Sequence, residues 1–127
     1  MTLFDKKHVS LPGVFRGIQE RDKVRIIRLK GSVDAGNVNE IQKFVQKLRV
    51  QKGYEFKNLL IDFKDVPYAD SAAVAELIRV LMDCKKAHHE LGVVNLSGEV
   101  LNLFEVLKVN TLIRSYLTEE EALKALE

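Results

Sequence analysis

Three histidines, one cysteine and a scatter of carboxylates are the groups in this chain with the chemistry for catalysis or metal binding. The histidines are His8, His88 and His89. Neighbours on a helix point about 100° apart, so His88 and His89 do not face one metal as a pair, and polar residues at a helix end are the simpler reading. Cys84 stands alone, which excludes an internal disulfide and a multi-cysteine zinc site. It falls on an apolar stripe and reads as a small core residue. Asp62 and Asp65 flank the end of an apolar run with no histidine beside them. A Gly-x-x-x-x-Gly-Lys phosphate loop, a Gly-x-Gly-x-x-Gly fingerprint and a Gly-x-Ser-x-Gly elbow are all missing. Nothing assembles a nucleophile, a base and an oxyanion site. The expectation is a protein that is not an enzyme, with no metal ligands and no cofactor. One pair stands out: Asp70-Ser71, a carboxylate and a hydroxyl at the start of a helical stripe, where both types are favoured caps.

The elements that must position this pair follow from hydrophobic spacing. Pro12-Gly13 marks a turn after a polar arm. Val14–Glu20 and Lys23–Leu29 read as two strands with Arg21-Asp22 at the bend, hence an antiparallel hairpin. Gly31–Asn37 is a loop, and Val38, Ile41, Phe44, Val45 and Leu48 then recur at helical spacing up to Gly53. Leu59-Leu60-Ile61 is a strand covered on both faces, closed by Asp65-Val66-Pro67. From Asp70-Ser71 a second helix carries Val74, Leu77, Ile78, Leu81, Cys84 and His88 on one stripe and is expected to stop at Gly92. Val93–Leu96 is a further strand, and Ser97-Gly98-Glu99 opens a helix with Val100, Leu103, Phe104 and Leu107. Leu112-Ile113 is the last strand, and Thr118 with Glu121 three residues on has capping-box spacing for a terminal helix. Strands alternating with helices require crossovers. The expected fold is therefore α/β, a mostly parallel sheet with an N-terminal antiparallel hairpin strand and about four helices. The loops at the carboxyl ends of its parallel strands, Gly31–Asn37, Asp65–Ser71 and Leu96–Glu99, should form one surface.

The 127 residues, 46% apolar and 30% charged, suit one domain with one core, here expected over about 14–126 behind a polar arm at 1–13. No signal-peptide core opens the chain and no run approaches membrane-spanning length, so a cytoplasmic protein without membrane insertion is expected. The net charge of +2 is unevenly spread, since residues 1–31 carry eight Lys/Arg against three acids. No aromatic residues alternate with these bases to stack on nucleotides. A charged, solvated edge strand is the simpler reading, and no direct nucleic-acid contact is expected.

At Val66–Val74 the sequence resembles a family, the STAS domain of bacterial anti-sigma-factor antagonists, and the resemblance runs from about Val14 to Leu126. Its landmarks are Gly31-Ser32-Val33-Asp34 (the family favours Gly-Glu-Leu-Asp), then Leu60-Ile61-Asp62-Phe63. Asp70-Ser71-Ala72-Ala73 follows, where the family favours Asp-Ser-Ser-Gly, and then Asn95–Val100 at the later strand-to-helix junction. The resemblance implies a regulatory switch in which an anti-sigma factor that is also a serine kinase phosphorylates the serine after the aspartate. A serine phosphatase resets it. Carried over, Ser71 is the acceptor, and Asp34, Asp70, Ala72, Ala73, Ser97 and Gly98 lie on the partner-binding face.

The physics of that position suits the role. A serine at a helix N-terminus has free backbone N–H groups and the positive end of the dipole beside it. A phosphate there adds about −1.5 to −2 charge next to Asp70 and Asp34. Two other readings stand beside it. One is a STAS scaffold or adaptor that is not phosphorylated, in a stress-signalling assembly or attached to a transporter. The other is a small ligand- or nucleotide-binding protein using the same loops.

Overall fold

Along the central strand of the sheet, side chains alternate between two packed faces, as the period of two in a strand demands. Leu59, Ile61 and Phe63 belong to one core cluster, while Leu60 belongs to another on the opposite face. The computed structural model describes residues 13–50 and 57–127, with residues 48–50 described by their backbone alone. Their elements are β1 (Phe15–Glu20), β2 (Val24–Lys30), α1 (Val38–Val50), β3 (Asn58–Asp65), α2 (Ser71–Lys86), β4 (Leu91–Val94), α3 (Gly98–Val106), β5 (Arg114–Tyr116) and α4 (Glu119–Leu126). A 3-10 turn, Val109–Thr111, precedes β5. The sheet order is β1-β2-β3-β4-β5. Only β1 and β2 are antiparallel; every later pair is parallel. This is the expected α/β architecture, with its hairpin and four helices.

Three crossover helices cover one face. Ile41, Phe44 and Val45 of α1, Val74, Leu77 and Val80 of α2, and Val100 and Phe104 of α3 share a cluster with Ile27, Leu29, Ile61, Phe63 and Val93. Phe63 and Phe104 meet edge to face with ring centroids 6.4 Å apart and planes at 81°, a favoured aromatic geometry. Cys84 is fully buried in this cluster, as its stripe position implied. On the other face, among the described residues, α4 packs Ala122 and Leu126 over Val24, Ile26, Leu60 and Val94.

Several boundaries differ from the sequence expectation. Helix α2 ends at Lys86, not near Gly92, because His88 adopts a left-handed conformation with φ 61°. The His89 and His88 N–H groups then bond back to the Cys84 and Lys85 carbonyls, a Schellman closure. The two histidines therefore lie beyond the helix. Gly92 sits inside β4 instead, where an added Cβ would stand 2.9 Å from the Tyr116 ring. The strand is Leu91–Val94 rather than Val93–Leu96, since Asn95 turns out of it at φ 62°. The final strand is the polar Arg114–Tyr116. Ile113, by contrast, is fully buried in the core at the end of the 3-10 turn, so the apolar signal there is a core plug and not a strand. Leu107, 41% exposed, caps α3 and does not pack with its stripe. Gly53 and the arm through Pro12 lie outside the described residues.

The basic hairpin is solvated only in part: Arg16, Arg21, Lys23 and Lys30 are exposed on the edge hairpin, but two arginines are drawn inward. Arg25 is 2% exposed and bonds Glu20 at 2.6 Å, and Lys57 reaches the other Glu20 oxygen at 2.9 Å. Arg28 reaches Asp62 at 2.8 Å and Glu119 at 2.7 Å. Buried cations of this kind persist only when paired.

Candidate functional site

The loop after β2 is fastened to the loop after β3 by backbone bonds that neither sequence pattern displays. Gly31, at φ 73°, turns the chain where a side chain would be strained, and its N–H bonds the Asp65 carbonyl. Val33 then pairs with Ala69 as an isolated parallel bridge: the Val33 N–H donates to the Tyr68 carbonyl, and the Asp70 N–H to the Val33 carbonyl. Val33 is 1% exposed and plugs the top of the core. The third loop joins through Ser97, whose Oγ lies 3.5 Å from the Pro67 carbonyl oxygen. The expected surface of three loops therefore exists at the carboxyl ends of the strands.

Asp70 ties two of these loops with one carboxylate. One oxygen caps α2 by accepting the Ala73 N–H at 3.0 Å, and the other accepts the Ala35 N–H at 3.1 Å. Ser71 is the first residue of α2 and is exposed. It stands in the first turn of α2, whose Ala73 and Val74 N–H groups are taken by Asp70. Asp34 is half-buried and turned into its own loop, where its carboxylate accepts the Gly36 N–H at 2.9 Å and its carbonyl accepts from Asn37 and Val38 to open α1. Ser97 caps α3 by accepting the Val100 N–H, and Gly98 is exposed at the start of that helix. Ala72 is half-buried. Ala73 is 2% exposed and packed into the core, so it supports the surface from beneath and is closed to a partner.

The sequence reading gave no role to two residues, Tyr68 and Asp62. Tyr68 is 49% exposed, three residues before Ser71, and offers a large ring to any docked protein. An aromatic in a loop between a strand and a cap is the signal that would have found it. Beneath the loops, Asp62 is 1% exposed and collects bonds from Arg16 at 3.0 Å, Arg28 at 2.8 Å, the Asn95 side chain at 3.0 Å and the Lys64 N–H at 2.9 Å. Burial pushes its carboxyl pKa up, but the hydrogen bonds from Asn95, Lys64 and Arg28 outweigh burial and hold it below the usual value. Arg16 also grips Asp65 at 2.6 Å. The network thereby joins the hairpin, β3 and the turn after β4. Among the described residues no cluster of histidine, cysteine and carboxylate groups could hold a metal ion, and no helix is long and apolar enough to cross a membrane.

Comparison with known proteins agrees with this geometry. Residues 17–122 match the family model described as STAS domain. The Thermotoga maritima protein TM1081 superposes with a TM-score of 0.78 at 19% identity, over 88% of this chain and 93% of its own. The anti-sigma factor antagonist SpoIIAA in its unphosphorylated form gives 0.61 at 20% identity, over 85% and 94%. The murine anion transporter Slc26a9 gives 0.70 at 18% identity, with 85% of this chain matching 18% of the transporter.

Proposed function

The chain belongs to the STAS domain family, and from that membership we propose that it is an anti-sigma-factor antagonist switched by phosphorylation of Ser71. In this reading an anti-sigma factor with serine-kinase activity docks on the three-loop surface. The Ser71 Oγ attacks the γ-phosphorus of ATP, the hydroxyl proton leaves and ADP is released. A serine phosphatase restores the hydroxyl by hydrolysis. The protein is then a substrate and binding partner rather than an enzyme, and it works in the cytoplasm. The observation that carries the proposal is the exposed Ser71 at the first position of α2, directly after the Asp70 cap and on the surface formed by three loops.

The energetic requirement is modest. A phosphate at Ser71 puts about −1.5 to −2 charge beside Asp70, in an interface that excludes water. A penalty of roughly 2–4 kcal/mol weakens binding by tens to hundreds of fold. No refolding is needed.

Incubation with a serine-kinase anti-sigma factor encoded in the same genome, with ATP, is expected to add one phosphate by intact mass, and none in Ser71→Ala. Calorimetry is expected to show Ser71→Ala binding that partner like the parent and Ser71→Asp binding it at least about tenfold more weakly. Equal binding by the two variants, with no mass change in the parent, would overturn the switch. It would favour a second reading, a constitutive scaffold or transporter-associated adaptor. Ala72-Ala73 supports that second reading, because two alanines stiffen the helix start from which the kinase must draw the hydroxyl.

A further inference from the structure

At the end of the sheet opposite the three loops, β4 and β5 begin beside a cavity of about 480 Å³. That size lies within the range of small-molecule sites, roughly 300–1,000 Å³. Its position follows from the fold: Leu91 and Arg114 are the first residues of their strands, Lys85 lies in the last turn of α2, and Leu126 ends α4. The lining is two-sided. Leu81, Leu91 and Leu126 are each at most 6% exposed and supply apolar walls, with Leu112 as a half-open lip. Gly92 lets the Tyr116 ring lie directly against β4, since any Cβ there would collide with that ring. The ring forms another wall of the cavity.

The polar side of the lining is cationic. Lys85 and Arg114 line it from two different elements, and neither makes an ion pair among the described residues. This contrasts with the hairpin, where Arg16, Arg25 and Arg28 all have carboxylate partners. His88 and His89 also line the cavity, and Glu90 is its one acid. Permanent positive charge without an internal partner, set around an apolar recess, is complementary to a molecule with the same two halves.

We propose that this cavity binds a small organic anion with an apolar body, its carboxylate or phosphate held by Lys85 and Arg114 and its body against Leu81, Leu91, Leu126 and the Tyr116 ring. The site is separate from the Ser71 surface and stands whether or not that serine is phosphorylated.

The test titrates the full chain with decanoate, kept below its micellar concentration, and follows the backbone amide resonances. Saturable shifts are expected around His89–Leu91 and Leu112–Tyr116, with Asp34, Asp70 and Ser71 unmoved. Decanol, which has a similar chain and no charge, is expected to bind about tenfold more weakly or not at all. Lys85 and Arg114 are exposed, so the double variant K85E/R114E is expected to keep its amide dispersion and lose decanoate binding by about tenfold or more. Decanoate shifts spread over unrelated exposed residues such as Tyr68 and Val106, equal binding of decanol, or unchanged affinity in the folded double variant would each overturn the proposal.

Discussion

Asp70 shows how much can rest on one carboxylate. Its two oxygens accept N–H groups from α2 and from the loop after β2, so its removal uncaps α2 and detaches Ala35 in one step. Asp70→Ala is expected to lower the unfolding free energy in urea by about 1–2 kcal/mol, at the upper end for a lost cap. The Ala35 amide should then lose protection from hydrogen exchange. Asp70→Asn keeps a capping oxygen for Ala73 and is expected to cost less. The cap was legible because Asp-Ser before an apolar stripe is a local signal. The second bond was not, since it joins residues 35 apart and nothing in either loop announces the other. The same limit hid the role of Asp62. A lone aspartate in an apolar run looks like a strand end until Arg16, Arg28 and Asn95 are brought to it from other strands and turns.

The helices were more legible at their beginnings than at their ends. Asp70, Ser97 and Thr118 all cap as their sequence positions implied, each accepting the N–H three residues on. The end expected at Gly92 was misplaced, because His88 takes the left-handed conformation that glycine adopts without strain, as Asn95 after β4 and Lys108 after α3 also do. Each is held there by its surroundings; Asn95, for example, turns its side chain to Asp62. Lys108 is exposed, and its N–H bonds the Glu105 carbonyl just after α3. Lys108→Gly keeps that bond and removes the strain of a left-handed side chain. It is expected to raise stability by about 0.5–1 kcal/mol, read as a higher urea midpoint at unchanged slope. The strands misread for a related reason. Arg114–Tyr116 carries no apolar alternation because it pairs on one side only, with β4, whereas the apolar Leu112-Ile113 beside it belongs to a turn.

At the scale of the molecule, the sheet has two unlike faces. Three helices cover one, and α4 covers part of the other, leaving Asp62, Arg28 and Glu119 as a charged seam at its upper edge. Because Asp62 is held below its ordinary pKa in the fold, it adds stability that is fully present above the unfolded carboxylate value near 4 and is lost as pH falls through the lower folded value. Asp62→Asn is expected to cost about 3 kcal/mol near pH 7, the low end for breaking a buried pair, since Arg28 keeps Glu119. In urea melts the gap between parent and variant should narrow below about pH 4. Fold class was readable from strand and helix alternation alone, because crossovers leave few topologies, but the seam joins residues as far as 91 apart and required the assembled sheet. The order of the strands in the sheet also equals their order in the chain. On a ribosome each emerging strand therefore finds its neighbour already made, and growth proceeds by addition at one edge. Helix α4 reaches furthest back among the described ion pairs, from Glu119 to Arg28. Until α4 forms, Arg28 has Asp62 and Gln19 but not Glu119, so this helix completes the seam.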